Sequence, residues 1–283
     1  MNNTPFKEIL LLLIIVLGSV LLAVGAAWLI SGGSGGRQEQ TDRSTLDAVS
    51  ITMENNLRDL IKTQLDTEEK YVTNPVVTDA MAQIKDRLLP LVKSNPFRVE
   101  ILVVDSPTVN AVTFPGGLMV IFSGLIKYTD SAEELASIIA HELGHVVHRD
   151  SMNLLMRNFT LSFLLNLVGG GRSPQLADEI IRDLINSSYS REQEQSADSF
   201  AMELLTKAGI NPLHMAHMFE KFEKMSGSQS GMLKYLSTHP SLDSRRKRAL
   251  ESAAEFVKTQ AEEKKFTIDW NKVKKALPSV LDE

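Results

Sequence analysis

Ile138-Ile139-Ala140-His141-Glu142-Leu143-Gly144-His145-Val146-Val147-His148 puts three of the chain's six histidines, with a glutamate, inside an otherwise apolar run. Ionisable side chains are poor filler for a core, so this stretch needs something that compensates them. In a helix of 3.6 residues per turn, His141 and His145 project from one face, one turn apart. Both imidazoles then reach a single ion, at the Zn–N distance of about 2.0–2.1 Å. Glu142 points beside the pair, where it meets a water held on the metal rather than the metal itself. From there it takes the water's proton and later returns it to a leaving group. Gly144 leaves a neighbouring backbone room to approach. An H-E-x-x-H match also arises by chance on a solvated helix face. Here Leu135, Ile138, Ile139, Val146 and Val147 make the helix a buried one.

Two histidines leave a tetrahedral ion with two open corners, and catalytic zinc usually takes three protein ligands plus water. Downstream, Ser190-Arg191-Glu192-Gln193-Glu194-Gln195-Ser196-Ala197-Asp198 places Glu194 and Asp198 four apart on one helix face. Glu194 can complete the ligand set. Asp198 can accept the spare ring N–H of a ligand histidine and so fix its tautomer and orientation. Ala197 leaves room for two helices to come close. Taken alone, carboxylates at this spacing are usually solvated helix surface; the pairing with His141-Glu142-x-x-His145 raises them above that. The expected cofactor is one Zn2+ per chain.

The rest of the chain bounds the context. Its 283 residues carry a net charge of −5 with no strongly basic block, which speaks against a nucleic-acid partner. It has no cysteine, so disulfides, thiolate metal sites and cysteine nucleophiles are excluded. Residues 1–8 form a short leader to Ile9–Ile30, which is free of charge and long enough to cross a bilayer, where about 20 apolar residues suffice. A transmembrane anchor is expected there, with a cleaved signal peptide as the alternative. Residues 31–43, opening on Ser31-Gly-Gly-Ser-Gly-Gly36, read as a flexible linker. A long amphipathic helix is expected from about Ser44 to Leu65, and another from Asn74-Pro75 to about Val92. Strands are expected at Phe97–Val104, Asn110–Phe114 and Leu118–Phe122, the last two joined at Pro115-Gly116-Gly117. Beyond them the pattern is helical, and Ser131 with Glu134 forms a candidate capping box for the histidine-bearing helix. Gly169–Arg172 and Gly227–Gly231 are glycine-rich stretches suited to act as lids.

The double motif, His141-Glu142-Leu143-Gly144-His145 followed by Glu194-Gln195-Ser196-Ala197-Asp198, resembles the zinc endopeptidases that include HtpX, BepA, the Oma-type proteases and the CAAX prenyl proteases. Asn110-Ala111 with Phe114-Pro115-Gly116-Gly117, Ser123-Gly124-Leu125, and Thr238-His239-Pro240 with Arg245 are similar to further segments of that family. The resemblance covers roughly Asn74 to Leu250. It implies metal ligands His141, His145 and Glu194, with Glu142 as general base. It also implies a role for His239 in catalysis, as an oxyanion donor or as a temporary fourth ligand. Arg245 is expected to tie to Asp198 or Glu194; otherwise it belongs to the basic run 245–248. Tyr189 is another possible oxyanion donor, more simply a buried structural residue. Residues Asn110, Ala111, Val112, Thr113 and Phe114 are expected to bind substrate, because an open strand edge pairs with extended peptide through main-chain hydrogen bonds.

The expected fold is α+β and mainly α: a zincin-like metallopeptidase domain over residues 44–260, with a small mixed β-sheet beside the active-site helix. An N-terminal transmembrane helix precedes it, and residues 261–283 form a C-terminal tail. The expected function is zinc-dependent hydrolysis of peptide bonds in unfolded or misfolded envelope polypeptides. The catalytic domain would be periplasmic, on a single-pass inner-membrane anchor or released after signal cleavage. A membrane-anchored, chaperone-like binding module with little proteolysis is the alternative. Unlike HtpX and the CAAX proteases, the chain has one candidate span. Nothing in the sequence fixes an oligomeric state.

Overall fold

The three apolar runs before the histidine helix become a sheet. In a computed structural model of the chain, β1 (Glu100–Val104), β2 (Ala111–Phe114) and β3 (Leu118–Phe122) lie in the order β1-β3-β2. β1 is parallel to β3, and β2 is antiparallel to it, with Ala111 opposite Ile121 and Phe114 opposite Leu118. The described residues are 35–93, 95–159, 174–226, 235–239, 242–259 and 262–278. The chain divides into two units, Met1–Ser50 and Ile51–Glu283, and the sheet, the core clusters and the histidine helix all belong to the second.

Side chains alternate across the sheet. Val112, Phe114, Leu118 and Val120 join Leu57, Ile61 and Leu65 of helix α1 (Gly35–Glu68) in one core cluster. Ala111, Met119 and Ile121 join the larger cluster, built around α4 (Ala132–His148) and α2 (Pro75–Leu88). Both faces are covered, and for that reason the strands read as continuous apolar runs rather than as strict alternation. The β2–β3 turn needs positive φ at Gly116 and Gly117, 72° and 79°, which glycine adopts without a steric penalty.

Helix α3 (Ser123–Tyr128) leaves β3 and leads into α4. Ser131 Oγ accepts the Glu134 N–H at 3.2 Å, but the Glu134 carboxylate reaches Asp130 N at 2.8 Å, so only half of the expected capping box forms at Ser131. α4 ends at Arg149, which takes the left-handed conformation, φ 58° and ψ 35°. The chain then turns into α5 (Asp150–Asn158). After α6 (Pro174–Asn186), helix α7 (Arg191–Lys207) opens on a complete capping box between Ser190 and Gln193. α8 (Leu213–Ser226), the short α9 (Tyr235–Thr238), α10 (Leu242–Lys258) and α11 (Trp270–Lys275) complete the described elements. The mainly helical α+β expectation, with its small mixed sheet, holds.

Two expected boundaries are corrected. Residues 35–43, read as linker, lie within α1, which runs from Gly35 to Glu68. The segment read as a tail buries Trp270, Val273 and Leu277 in the larger core cluster, with the Trp270 indole N–H donating to Thr129 O at 3.1 Å. The apolar run Ile9–Ile30 and both glycine-rich candidate lids lie outside the described residues. Among the described residues, no helix is long and apolar enough to cross a membrane.

Candidate metal centre

α4 and α7 carry the donors, and the two helices touch where their side chains are smallest. A Cβ on Gly144 would lie 2.8 Å from Ala197 Cα, so glycine and alanine together set the closest approach. That approach brings Glu194 to the two histidines. His141 Nε2 and His145 Nε2 are 3.1 Å apart, and Glu194 Oε1 lies 3.4 Å from His145 Nε2. His239, just past α9, joins them with Nδ1 3.3 Å from His141 Nε2 and 2.8 Å from Glu194 Oε1. One donor atom from each of His141, His145, Glu194 and His239 falls within 4.8 Å of the others, and all four residues are buried. Donors on a tetrahedral ion at about 2.0–2.1 Å stand roughly 3.3 Å from one another, close to the spacings found here.

The surrounding groups fix which nitrogen faces inward. His141 Nδ1 is 3.0 Å from Asp198 Oδ1, and His145 Nδ1 is 2.8 Å from Asp150 Oδ2. With each Nδ1–H given to a carboxylate, each Nε2 presents its lone pair to the centre. Asp198 does for His141 what the spacing of the second motif leads one to expect. It is held by Arg245, whose Nε and Nη2 donate to its two oxygens, both at 2.8 Å. Arg245 Nη1 also pairs with Glu194 Oε2, and the guanidinium lies 4.6 Å from the Phe219 ring centre. The expected alternatives for Arg245 are thus both realised: it ties to Asp198 and to Glu194, while Arg246 and Arg248 are more exposed.

Four buried carboxylates, from Glu142, Asp150, Glu194 and Asp198, surround the donors, and the one buried guanidinium, Arg245, pairs with only Glu194 and Asp198, so the cluster is built for a cation. The ionisation of its members follows from that charge balance. Burial pushes His141 down, only partly offset by Asp198 and Glu194. Burial also pushes on His145, but Asp150 and Glu194, helped by the Glu142 charge, carry it up to about 9. Burial would raise Glu194, yet the charge of His239 and the hydrogen bonds from His145 and His239 hold it well below the usual carboxylate range. Asp198 is likewise held low against its burial by His141 and Arg245. These donors, nitrogen and oxygen with no sulfur, in a buried and anionic cluster, fit one Zn2+.

Glu142 stands beside the cluster rather than in it. Its Oε2 accepts a hydrogen bond from Thr113 Oγ1 at 2.6 Å, and its buried Oε1 has no hydrogen-bond partner among the described residues. Oε1 is 3.6 Å from His239 Nε2. The geometry leaves one carboxylate oxygen anchored to β2 and the other turned toward the donors. Tyr189 stacks on the His145 ring at 3.9 Å between centres, and its hydroxyl meets Ser151 Oγ at 3.2 Å, which matches the structural alternative for this residue. His214 pairs with Glu263, and neither it nor His148 nor His217 enters the cluster.

The strand edge expected to pair with substrate is covered. β2 is an edge strand, but Asn110 and all four residues Ala111, Val112, Thr113 and Phe114 are buried. Since Phe122 N–H bonds to Asn110 O, Ala111 and Thr113 turn their main-chain groups outward. Ser151 Oγ already donates to Thr113 O at 2.5 Å, and α5 and α6 both contact β2. Sequence pattern places a strand at an edge; it does not show which distant helix comes to lie over it.

Asp150 escaped the sequence reading. It follows the α4 turn directly, and besides holding His145 it accepts from Gln193 Nε2 at 2.9 Å, tying the first turn of α7 to the end of α4. The available signal was its place five residues after His145, but only the left-handed turn at Arg149 folds it back.

Residues 79–253, well over half of the chain, match the model of peptidase family M48. The mitochondrial metalloendopeptidase OMA1 of Arabidopsis thaliana is 35% identical over 142 residues, 50% of this chain and 29% of that protein. The beta-barrel assembly-enhancing protease of Yersinia pestis is 27% identical over 213 residues, 70% of this chain and 43% of its own length. The metalloprotease YcaL of Escherichia coli is 28% identical over 138 residues, 47% of this chain and 53% of that protein. The chain therefore spans about half or less of the length of these relatives. A matching family model over most of the fold, together with the four donors brought to one point by α4, α7 and the segment after α9, places the chain in peptidase family M48.

Proposed function

We propose that the chain is a zinc-dependent endopeptidase in which His141, His145 and Glu194 hold the ion and Glu142 is the general base. A zinc ion there supplies Lewis acidity: it polarises a substrate carbonyl and makes a water acidic enough to attack near neutral pH. The chain's own groups do the rest. Glu142 Oε1, buried and without a hydrogen-bond partner among the described residues, takes the proton from the attacking water and passes it to the leaving nitrogen. Thr113 keeps the other oxygen fixed meanwhile. That single orphaned oxygen beside a four-donor cluster carries the reading.

His239 supports a resting state as well as a working one. Three imidazoles and a carboxylate already supply four donors, which is the coordination number of a closed zinc site. With the ion bound, His239 would be the donor that gives way to substrate. Its proximity to Glu194 and His141 favours this over the reading as an oxyanion donor in place.

Extended polypeptide is the substrate class, paired along β2. Buried Asn110, whose side-chain amide has no hydrogen-bond partner among the described residues, is a donor for a peptide carbonyl next to that strand. Access needs α5 and α6 to draw back and Ser151 to release Thr113 O. The run Ile9–Ile30 supports a single-pass anchor with the peptidase outside the cytoplasm. A role in turnover of envelope proteins takes its support from the relatives named for beta-barrel assembly.

The test is Glu142→Gln in the full chain, assayed on casein. The proposal requires that zinc stay bound while cleavage falls at least about 100-fold. Wild-type chain that holds zinc and cleaves no unfolded substrate favours the chaperone-like reading instead.

A further inference from the structure

Glu54 lies on α1, far along the chain from the metal donors, and is 1% exposed. A carboxylate so deeply buried requires partners. Arg149 Nε donates to its Oε1 at 2.5 Å, and the Gly116 N–H lies 3.5 Å from its Oε2. The second contact is long, but steric fit supports it: a Cβ on Gly116 would lie 2.8 Å from Glu54 O. Helix α1 therefore rests at once on the β2–β3 turn and on the end of α4.

Arg149 is the residue where that end is decided. Among the described residues it is the one non-glycine with positive φ, a left-handed conformation that a residue with a Cβ adopts reluctantly. The next residue is Asp150, which holds His145 Nδ1 with one oxygen and Gln193 Nε2, beside Glu194, with the other. The packing between leaves little slack. A void of about 10 Å3 is bordered by Glu54, Gly116, His145, Arg149 and Ser151.

We propose that Glu54 is a positioning residue for the metal centre: by binding the Arg149 guanidinium it holds the left-handed turn that aims Asp150 at His145. The proposal rests on the reading of His141, His145 and Glu194 as zinc donors. It gives helix α1 a mechanical hold on one ligand, through Glu54, Arg149 and Asp150, which lie outside the four-donor cluster.

The experiment measures the zinc dissociation constant of the full chain by competition with a chromophoric chelator, with folding followed by far-UV circular dichroism. Glu54→Gln keeps the shape and removes the charge; zinc binding weakens about tenfold, as for other groups that support a ligand. Arg149→Gly permits the left-handed turn without help, so the double variant Glu54→Gln/Arg149→Gly returns to within about threefold of wild type. A Glu54 that serves only as structural filler leaves the double variant as weak as the single one, which overturns the proposal, as does a Glu54→Gln chain that binds zinc like wild type. If the single variant fails to fold but the double variant folds and binds zinc, the proposal stands; if neither folds, the turn is not what Glu54 supplies and the proposal fails. Wild-type chain that binds no zinc removes the metal reading itself and this proposal with it, an outcome distinct from all the others.

Discussion

Gly144 and Ala197 meet at the crossing of the two donor helices, where a Cβ on Gly144 would sit 2.8 Å from Ala197 Cα and 3.0 Å from Ala197 O. Both obstacles are backbone atoms, so they cannot simply swing aside. Gly144→Ala must push α4 and α7 apart by some tenths of an ångström, and Glu194 rides on α7. Overpacking of this kind costs roughly 1–3 kcal/mol, with the gain in helix propensity from glycine to alanine offsetting about 1 of it. Zinc affinity is the sharper readout. It falls by about tenfold or more in Gly144→Ala, since the donors no longer share one centre, whereas Ala197→Gly keeps it near wild type. Chelator competition on the two variants checks this.

Asp150 and Asp198 each orient one ligand histidine. Asp150→Asn and Asp198→Asn should each lower zinc affinity by about 10–100-fold, as expected for carboxylates that support ligand histidines. The larger effect on stability belongs to Asp198→Asn, because Arg245, 2% exposed, loses half of its charge balance. Isothermal titration with zinc and thermal unfolding of both variants measure the two effects.

Thr113 bonds Glu142, the proposed base, rather than one of the four clustered donors. Thr113→Val keeps the volume and removes the hydroxyl. The expected result is unchanged zinc content and a kcat lower by about tenfold, from a carboxylate free to rotate out of line. Steady-state cleavage of a fluorogenic peptide, with metal analysis on the same sample, reports both.

His239 as a resting fourth donor predicts that its removal frees a corner of the ion. His239→Ala then keeps one zinc per chain and raises basal peptide cleavage. An oxyanion donor in the same position would instead lose about 10²–10³ in kcat. Initial rates on one unfolded substrate separate the two.

The chemistry that lies within one helical turn was legible in the sequence. His141, Glu142 and His145 follow from 3.6-residue spacing, and Gly144 and Ala197 from the need for two helices to approach. Glu194 and Asp198 required the joint reading of two segments, and the structure brings both to the centre. Legibility ended where an effect depends on a turn conformation or on a distant cover. Asp150 acts through a left-handed Arg149, which no local pattern demands. The strand at Ala111–Phe114 was readable, but its burial under α5 and α6 was not, because edge order says nothing of what packs outside it. Glu54 looked like one more polar residue on an amphipathic helix; only the tertiary contact with Arg149 shows otherwise.

X-ray absorption at the zinc edge on the purified full chain tests the centre most directly. The account predicts one zinc per chain with a first shell of nitrogen and oxygen only at about 2.0–2.1 Å, and scattering from two or three imidazole rings. A chain that retains no zinc after dialysis, or a shell of oxygen alone without imidazole scattering, would contradict it.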